Sequence, residues 1–404
     1  MGTADRRSAL LLAGAMGAWT WNMGLRVAVS AVLPFIRDRY SLTTAEASSL
    51  PAALSLGYYL TSLQSGRLSR KLGHSRALLG YVLGAAALSI LFGLAIDKTS
   101  LYVLAASMGV LMSLHIPSAI PLISERFKGS RLGVVIAVHE VAAPLGQVLG
   151  PVVLSSLMIH AGYAESFAVW SVLAFASVAV LMISGLGDGL RGSERSGAAK
   201  IDRRTEVALM LLTVGALTGN FGIVAILPLH MVDTFGLEKG FVASLIGLSR
   251  TVSVFGQLVG GVLFDRLGFR RTAALLTSLN VVTMVWFMLG RYDALYVSAI
   301  VVSTVATAMF FPVMYAYVAS ALGTDSGPLL GRMLGVGGLV GATLMPAIAG
   351  SVAEAHGYTA ALSVPTTIVA SSAVAFLLSE FPPSARPPPR PERSLPINNQ
   401  PNLT

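Results

Sequence analysis

From residue 9 to residue 380, apolar runs of about 20 residues alternate with short polar joints. Twelve runs can be drawn: 9–36, 46–66, 77–96, 101–124, 132–159, 164–186, 206–232, 241–264, 272–290, 294–321, 328–353 and 358–380. About 20 helical residues cross the hydrocarbon core of a bilayer. The runs are too long and unbroken for the alternating strands of a membrane barrel. The pattern therefore predicts an all-α membrane protein with twelve transmembrane helices.

Composition agrees. The 404 residues are 54% hydrophobic and 12% charged, where soluble domains carry about 25% charged residues. The net charge of +9 would suit nucleic acid, but the charges lie scattered in short joints and form no basic domain. They read better as topology signals. With the N-terminus inside, inner segments hold 21 Lys and Arg and outer ones 5. That asymmetry predicts both termini in the cytoplasm of a bacterial-type inner (plasma) membrane. Asp5, Arg6 and Arg7 before an apolar run imitate a signal peptide. The run continues to about Phe35, so a retained first span is expected.

There is no cysteine, hence no disulfide framework and no thiolate metal site. No metal-ligand cluster, phosphate-cradling glycine loop or nucleophile–base arrangement stands out. The expectation is a protein that is not an enzyme, uses no cofactor or metal, and does not hydrolyse ATP.

The longest inner joint (187–205) is rich in glycine and charge, and reads as a flexible cytoplasmic linker. The tail (381–404) is crowded with proline and reads as disordered. Its closing Asn402-Leu403-Thr404 is a glycosylation sequon on the wrong side of the membrane.

Shifting the chain on itself by 195 residues brings unusual positions into register. Gly66, Leu68, Leu72, Gly73 and Arg76 meet Gly261, Leu263, Leu267, Gly268 and Arg271; Pro117 meets Pro312, Gly146 meets Gly341 and Pro151 meets Pro346. Two pseudo-symmetric six-helix bundles (1–186 and 206–380) are implied, with a site between them near the midplane.

The segment GVLFDRLGFRR (261–271) resembles the loop between the second and third helix of each half in the major facilitator superfamily. Gly261, Asp265, Arg266, Gly268 and Arg271 satisfy that pattern. The first copy, GRLSRKLGHSR (66–76), keeps Gly66, Gly73 and Arg76 but has Arg70 in place of the aspartate. The resemblance covers residues 9–380. It implies a monomeric secondary transporter, with these loops latching the two halves on the cytoplasmic side.

Two arginines interrupt the apolar runs. Near the bilayer centre each costs about 2.5–3.5 kcal/mol on insertion scales, so each is expected to line a polar cavity or meet a partner. Asn22, Arg26 and Ser30 recur every four residues and share a helix face, with Trp19 one turn further. The run LRVAVSAVLPFI (25–36) resembles the first helix of anion:cation symporters and cyanate-permease-like carriers, which place an arginine eight residues before a proline, as with Arg26 and Pro34. The symporters' preceding aspartate is Leu25 here. Arg250 shares a face with Ser253 and Gln257, and its place in the eighth helix resembles monocarboxylate and oxalate carriers. Each arginine reads either as a substrate-gripping guanidinium or as half of a structural ion pair.

The fifth helix carries His139, Glu140, Pro144, Gln147, Gly150 and Pro151. Pro144 cannot donate to the carbonyl of Glu140, so the backbone opens there. Glu140 reads as a proton-coupling site with His139 beside it, or as a constitutive partner of Arg26. The run GQVLGP (146–151) resembles the fifth-helix motif of the family's antiporters without its trailing glycines. His115, with Ser118 near it, and Tyr315, which shares a face with Thr304 and Phe311, read either as cavity residues or as packing. The expected function is transport of a small organic anion, a mono- or dicarboxylate, by proton symport. Proton-driven drug or metabolite efflux, anion exchange and a non-transporting sensor remain open.

Overall fold

The computed structural model describes residues 3–42, 44–127, 132–186 and 201–381. Most of the expected linker (187–200) and nearly all of the expected tail (382–404) lie outside the described residues, as do the side chains of Pro34 and Lys239. Among the described residues all regular structure is helical. It forms twelve rods: α1 (3–40), α2 (Thr44–Leu72), α3 (His74–Gly93), α4 (Lys98–Arg126), α5 (Leu132–His160), α6 (Tyr163–Ile183), α7 (203–235), α8 (Lys239–Leu267), α9 (Phe269–Leu289), α10 (Ala294–Leu322), α11 (327–356) and α12 (358–377).

Several rods bend where the sequence removes a backbone donor. In α4 the break at Ser113 and Leu114 precedes Pro117, which cannot bond the Ser113 carbonyl; in α5 the break at Val141 lies between Glu140 and Pro144. Two further rods contain π turns, Thr218–Gly222 in α7 and Gly338–Leu344 in α11. Neither was expected from the apolar pattern, which is blind to one extra residue in a turn. Asp202 caps α7 by accepting from the Thr205 N–H at 2.8 Å. The Thr205 side chain and this N–H hold the Asp202 carboxyl below its ordinary range. Residues 203–205, expected in the flexible linker, are therefore helical.

The 195-residue repeat extends to the backbone. The bounds of α2 and α8 differ by that offset at both ends. Gly73 and Gly268 turn with φ of 87° and 77°, and Gly162 and Gly357 with φ of 111° and 82°, values that side chains with a Cβ rarely adopt.

Within the first half, α1 packs on α5 through small residues. A Cβ on Gly146 would stand 2.2 Å from the Thr20 carbonyl oxygen, and one on Gly150 2.3 Å from that of Gly24. The GQVLGP run is thus a close helix crossing. Between the halves, Gly66 meets Gly327 and Pro328, while Gly261 meets Gly133. These two contacts are related by the repeat and lie at the end of the bundle that carries the 66–76 and 261–271 loops.

Candidate functional site

A cavity of about 640 Å³ lies between the halves, and both buried-span arginines line it. Arg26 reaches it from α1 and Arg250 from α8. Glu140 and Gln147 of α5, Ser253 and Gln257 of α8, and Thr304, Phe311 and Tyr315 of α10 also line it. Among the described residues, neither guanidinium has a carboxylate within ion-pair distance.

The two arginines are held by neutral groups instead. Arg26 donates Nη2–H to the Tyr59 hydroxyl at 3.1 Å and lies 4.0 Å over the Tyr58 ring, with the Met23 sulfur as a weak acceptor at 3.9 Å. A cation over an aromatic face is stabilised by the ring quadrupole, but that face accepts no hydrogen bond of ordinary strength. Arg250 donates to the Asn220 side-chain oxygen and to the Asn220 carbonyl, both at 2.9 Å, and faces the Phe221 ring at 5.6 Å. Asn220 lies in the π turn of α7, where the widened helix frees a carbonyl for such use. Both guanidiniums therefore keep donor capacity with no charged acceptor to meet it.

The alternative reading of Glu140, a constitutive pair with Arg26, is not met among the described residues. Glu140 Oε1 pairs with His139 Nδ1 at 2.9 Å. His139 Nε2 lies 3.1 Å from His115 Nε2, and His115 Nδ1 lies 2.5 Å from the Tyr81 hydroxyl. His115 and His139 are fully buried and do not line the cavity. Asn22, expected on the substrate face with Arg26, is turned away and donates to the Met112 carbonyl at 3.1 Å. Ser30 is exposed, so the four-residue spacing put three residues on one stripe that meets three environments. Ser118 bonds Ser69 at 2.7 Å, in the lattice beneath the 66–76 loop.

At the loop end, Asp265 accepts from the N–H groups of Gly133 and Val134 at 3.0 and 3.1 Å, capping α5 from the opposite half. Arg70 instead pairs with Asp325 at 3.5 Å, and His74 Nε2 lies 3.0 Å from the Thr324 carbonyl. Arg76, Arg266 and Arg271 are exposed beside these contacts.

The sequence profile of the Major Facilitator Superfamily matches residues 10–325 and, again, 209–401. The chain belongs to the Major Facilitator Superfamily. It is similar to the Bacillus subtilis (strain 168) protein described as uncharacterized MFS-type transporter YuxJ, at 25% identity over 277 residues, covering 63% of this chain and 69% of that one. Its fold is similar to a bacterial homologue of the iron transporter ferroportin in the outward-facing state (TM-score 0.75, 15% identity, 92% of this chain and 98% of that one). It is also similar to the human organic anion transporter MFSD10 (TETRAN), with TM-score 0.72, 15% identity, and 93% and 100% of the chains covered.

This facilitator is thus an integral membrane transporter and not an enzyme, built as twelve helices in two bundles. Sequence reasoning missed Tyr58, Tyr59, Asn220 and Phe221. One signal could have found Phe221: the 195-residue offset lays it on Arg26.

Proposed function

We propose that this facilitator carries a small organic anion, a mono- or dicarboxylate, by proton-coupled symport with alternating access. The observation that carries the reading is the pair of guanidiniums, one from each half, lining one cavity without a carboxylate partner among the described residues. A carboxylate supplies the planar, bidentate acceptor that a phenol, a thioether and an amide do not. Bound between Arg26 and Arg250, it gives each half a charged contact only when the halves approach, which couples binding to closure. Gln257, whose Oε1 has no protein partner among the described residues, and Tyr315 offer further polar contacts. Glu140 on the same wall is the proton site.

The Lys and Arg asymmetry supports placing both termini in the cytoplasm. The 195-residue repeat supports residues 1–186 and 206–380 as the two moving bodies, and the proposed setting is a bacterial-type inner membrane. A thermal-shift screen of the purified protein with small carboxylates, inorganic anions and lipophilic cations tests the reading. Carboxylates should raise the melting temperature, and Arg26→Lys or Arg250→Lys should abolish the shift while leaving the unliganded melting temperature within a few degrees. Shifts by cations alone, or carboxylate shifts unchanged in both variants, would refute the assignment.

A further inference from the structure

Four buried side chains of the first half form one unbroken line: Tyr81 of α3, His115 of α4, and His139 and Glu140 of α5. Trp19 stacks on both imidazoles, with ring centroids 4.5 and 6.5 Å away. Of the four, Glu140 alone reaches the cavity. The groups around it are Arg26 from α1, Tyr58 and Tyr59 from α2, and Tyr315 from α10, with Arg250 of α8 across the cavity.

A neutral imidazole carries one proton on its two nitrogens. With both rings neutral, the three links close in only two ways. In one, Tyr81 donates to His115 Nδ1, His115 Nε2–H to His139 Nε2, and His139 Nδ1–H to an ionised Glu140. In the other, every link is reversed and a protonated Glu140 is the first donor. Tyr81 then accepts, and its hydroxyl hydrogen turns away from His115, on the side where the Asn22 side chain lies. The two arrangements differ by one proton, and neither needs a buried imidazolium, which desolvation penalises.

We infer that Glu140, His139, His115 and Tyr81 store a single proton as one unit, and that the stored proton sets the charge of the anion the cavity accepts. The second clause rests on the anion reading above. With Glu140 ionised, Arg26 and Arg250 leave one net positive charge, matched by a monocarboxylate. With Glu140 protonated they leave two, matched by a dicarboxylate. Dicarboxylate binding and uptake of one proton are then the same event.

The chain has six histidines, few enough for ¹⁵N-histidine spectra of the full protein in lipid nanodiscs, with His115→Gln and His139→Gln used for assignment. As pH falls, His115 should pass from the Nε2–H to the Nδ1–H tautomer and His139 from Nδ1–H to Nε2–H, with one shared midpoint. Glu140→Gln should remove the pH dependence of both. An imidazolium signal from either ring, separate midpoints, or fixed tautomers from about pH 4.5 to pH 9 would overturn the store. Added succinate should raise the shared midpoint. Reversal with a midpoint that succinate does not move would leave the store standing and sink its coupling to a dicarboxylate instead.

Discussion

The two loops that join the second and third helix of each half occupy equivalent places and hold the halves together by opposite chemistry. In the second half, Asp265 turns its carboxylate onto two N–H groups at the start of α5. This is helix capping performed from across the interface, with the N-terminal dipole adding to it. The repeat maps Asp265 onto Arg70, Gly133 onto Pro328 and Val134 onto Leu329. Pro328 has no N–H, so the start of α11 can offer only half of the matching site. An aspartate at position 70 would have little to accept. Arg70 turns instead to Asp325, in the 3-10 turn just before α11. The departure of the first loop from the family pattern is therefore matched by a departure in the helix it faces.

The pairing is not equal in strength. Arg70 and Asp325 are 56% and 34% exposed and 3.5 Å apart, and such pairs contribute about 0–1 kcal/mol. Losing a helix cap costs about 0.5–2 kcal/mol. The 261–271 side should thus dominate closure at this end.

Four variants break or sharpen that comparison. The protein has no cysteine, so spin labels at Leu72→Cys and Leu267→Cys, the exposed ends of α2 and α8, would report the opening directly. Asp265→Ala should have the largest effect, shifting the population toward the open loop end by about 2–30-fold, the equivalent of a lost cap. An unchanged distance distribution would show that the cap does not hold the gate. Pro328→Ala combined with Arg70→Asp should rebuild the missing cap and shift the population the other way by a few-fold. The single Arg70→Asp change, which sets a second carboxylate near Asp325, should open the end. Asp325→Asn should have the smallest effect, less than about 5-fold. That effect should fade further at high salt, where exposed charges are screened.

Much of the fold was legible in the chain because its cause is local and repeated. Each apolar run is long enough to reveal a span by itself, and the proline breaks at Val141 and after Ser113 follow from one missing donor each. The arginines could be flagged for the same reason, since their cost depends on depth along their own helix. The partners were not legible. Asn22 and Arg26 lie on one stripe, yet one bonds the Met112 carbonyl and the other a tyrosine of α2. His139, the chain neighbour of Glu140 and so about 100° round the helix from it, still bonds it because a side chain can fold back along its own helix. Asn220 depends on a π turn, and no hydropathy pattern records one.

What the sequence determined alone was the medium, the number of spans, the twofold repeat and the two charged positions that lipid cannot tolerate. These follow from sums over a continuous segment, where no single neighbour decides the outcome. Tertiary structure decided what each charge meets: tyrosines for Arg26, a freed carbonyl for Arg250, and an imidazole rather than a guanidinium for Glu140. Hydrogen bonds form or fail within a few tenths of an ångström. Those distances are set by how helices far apart in the chain pack, through contacts such as Gly66 on Gly327 and Gly133 on Gly261.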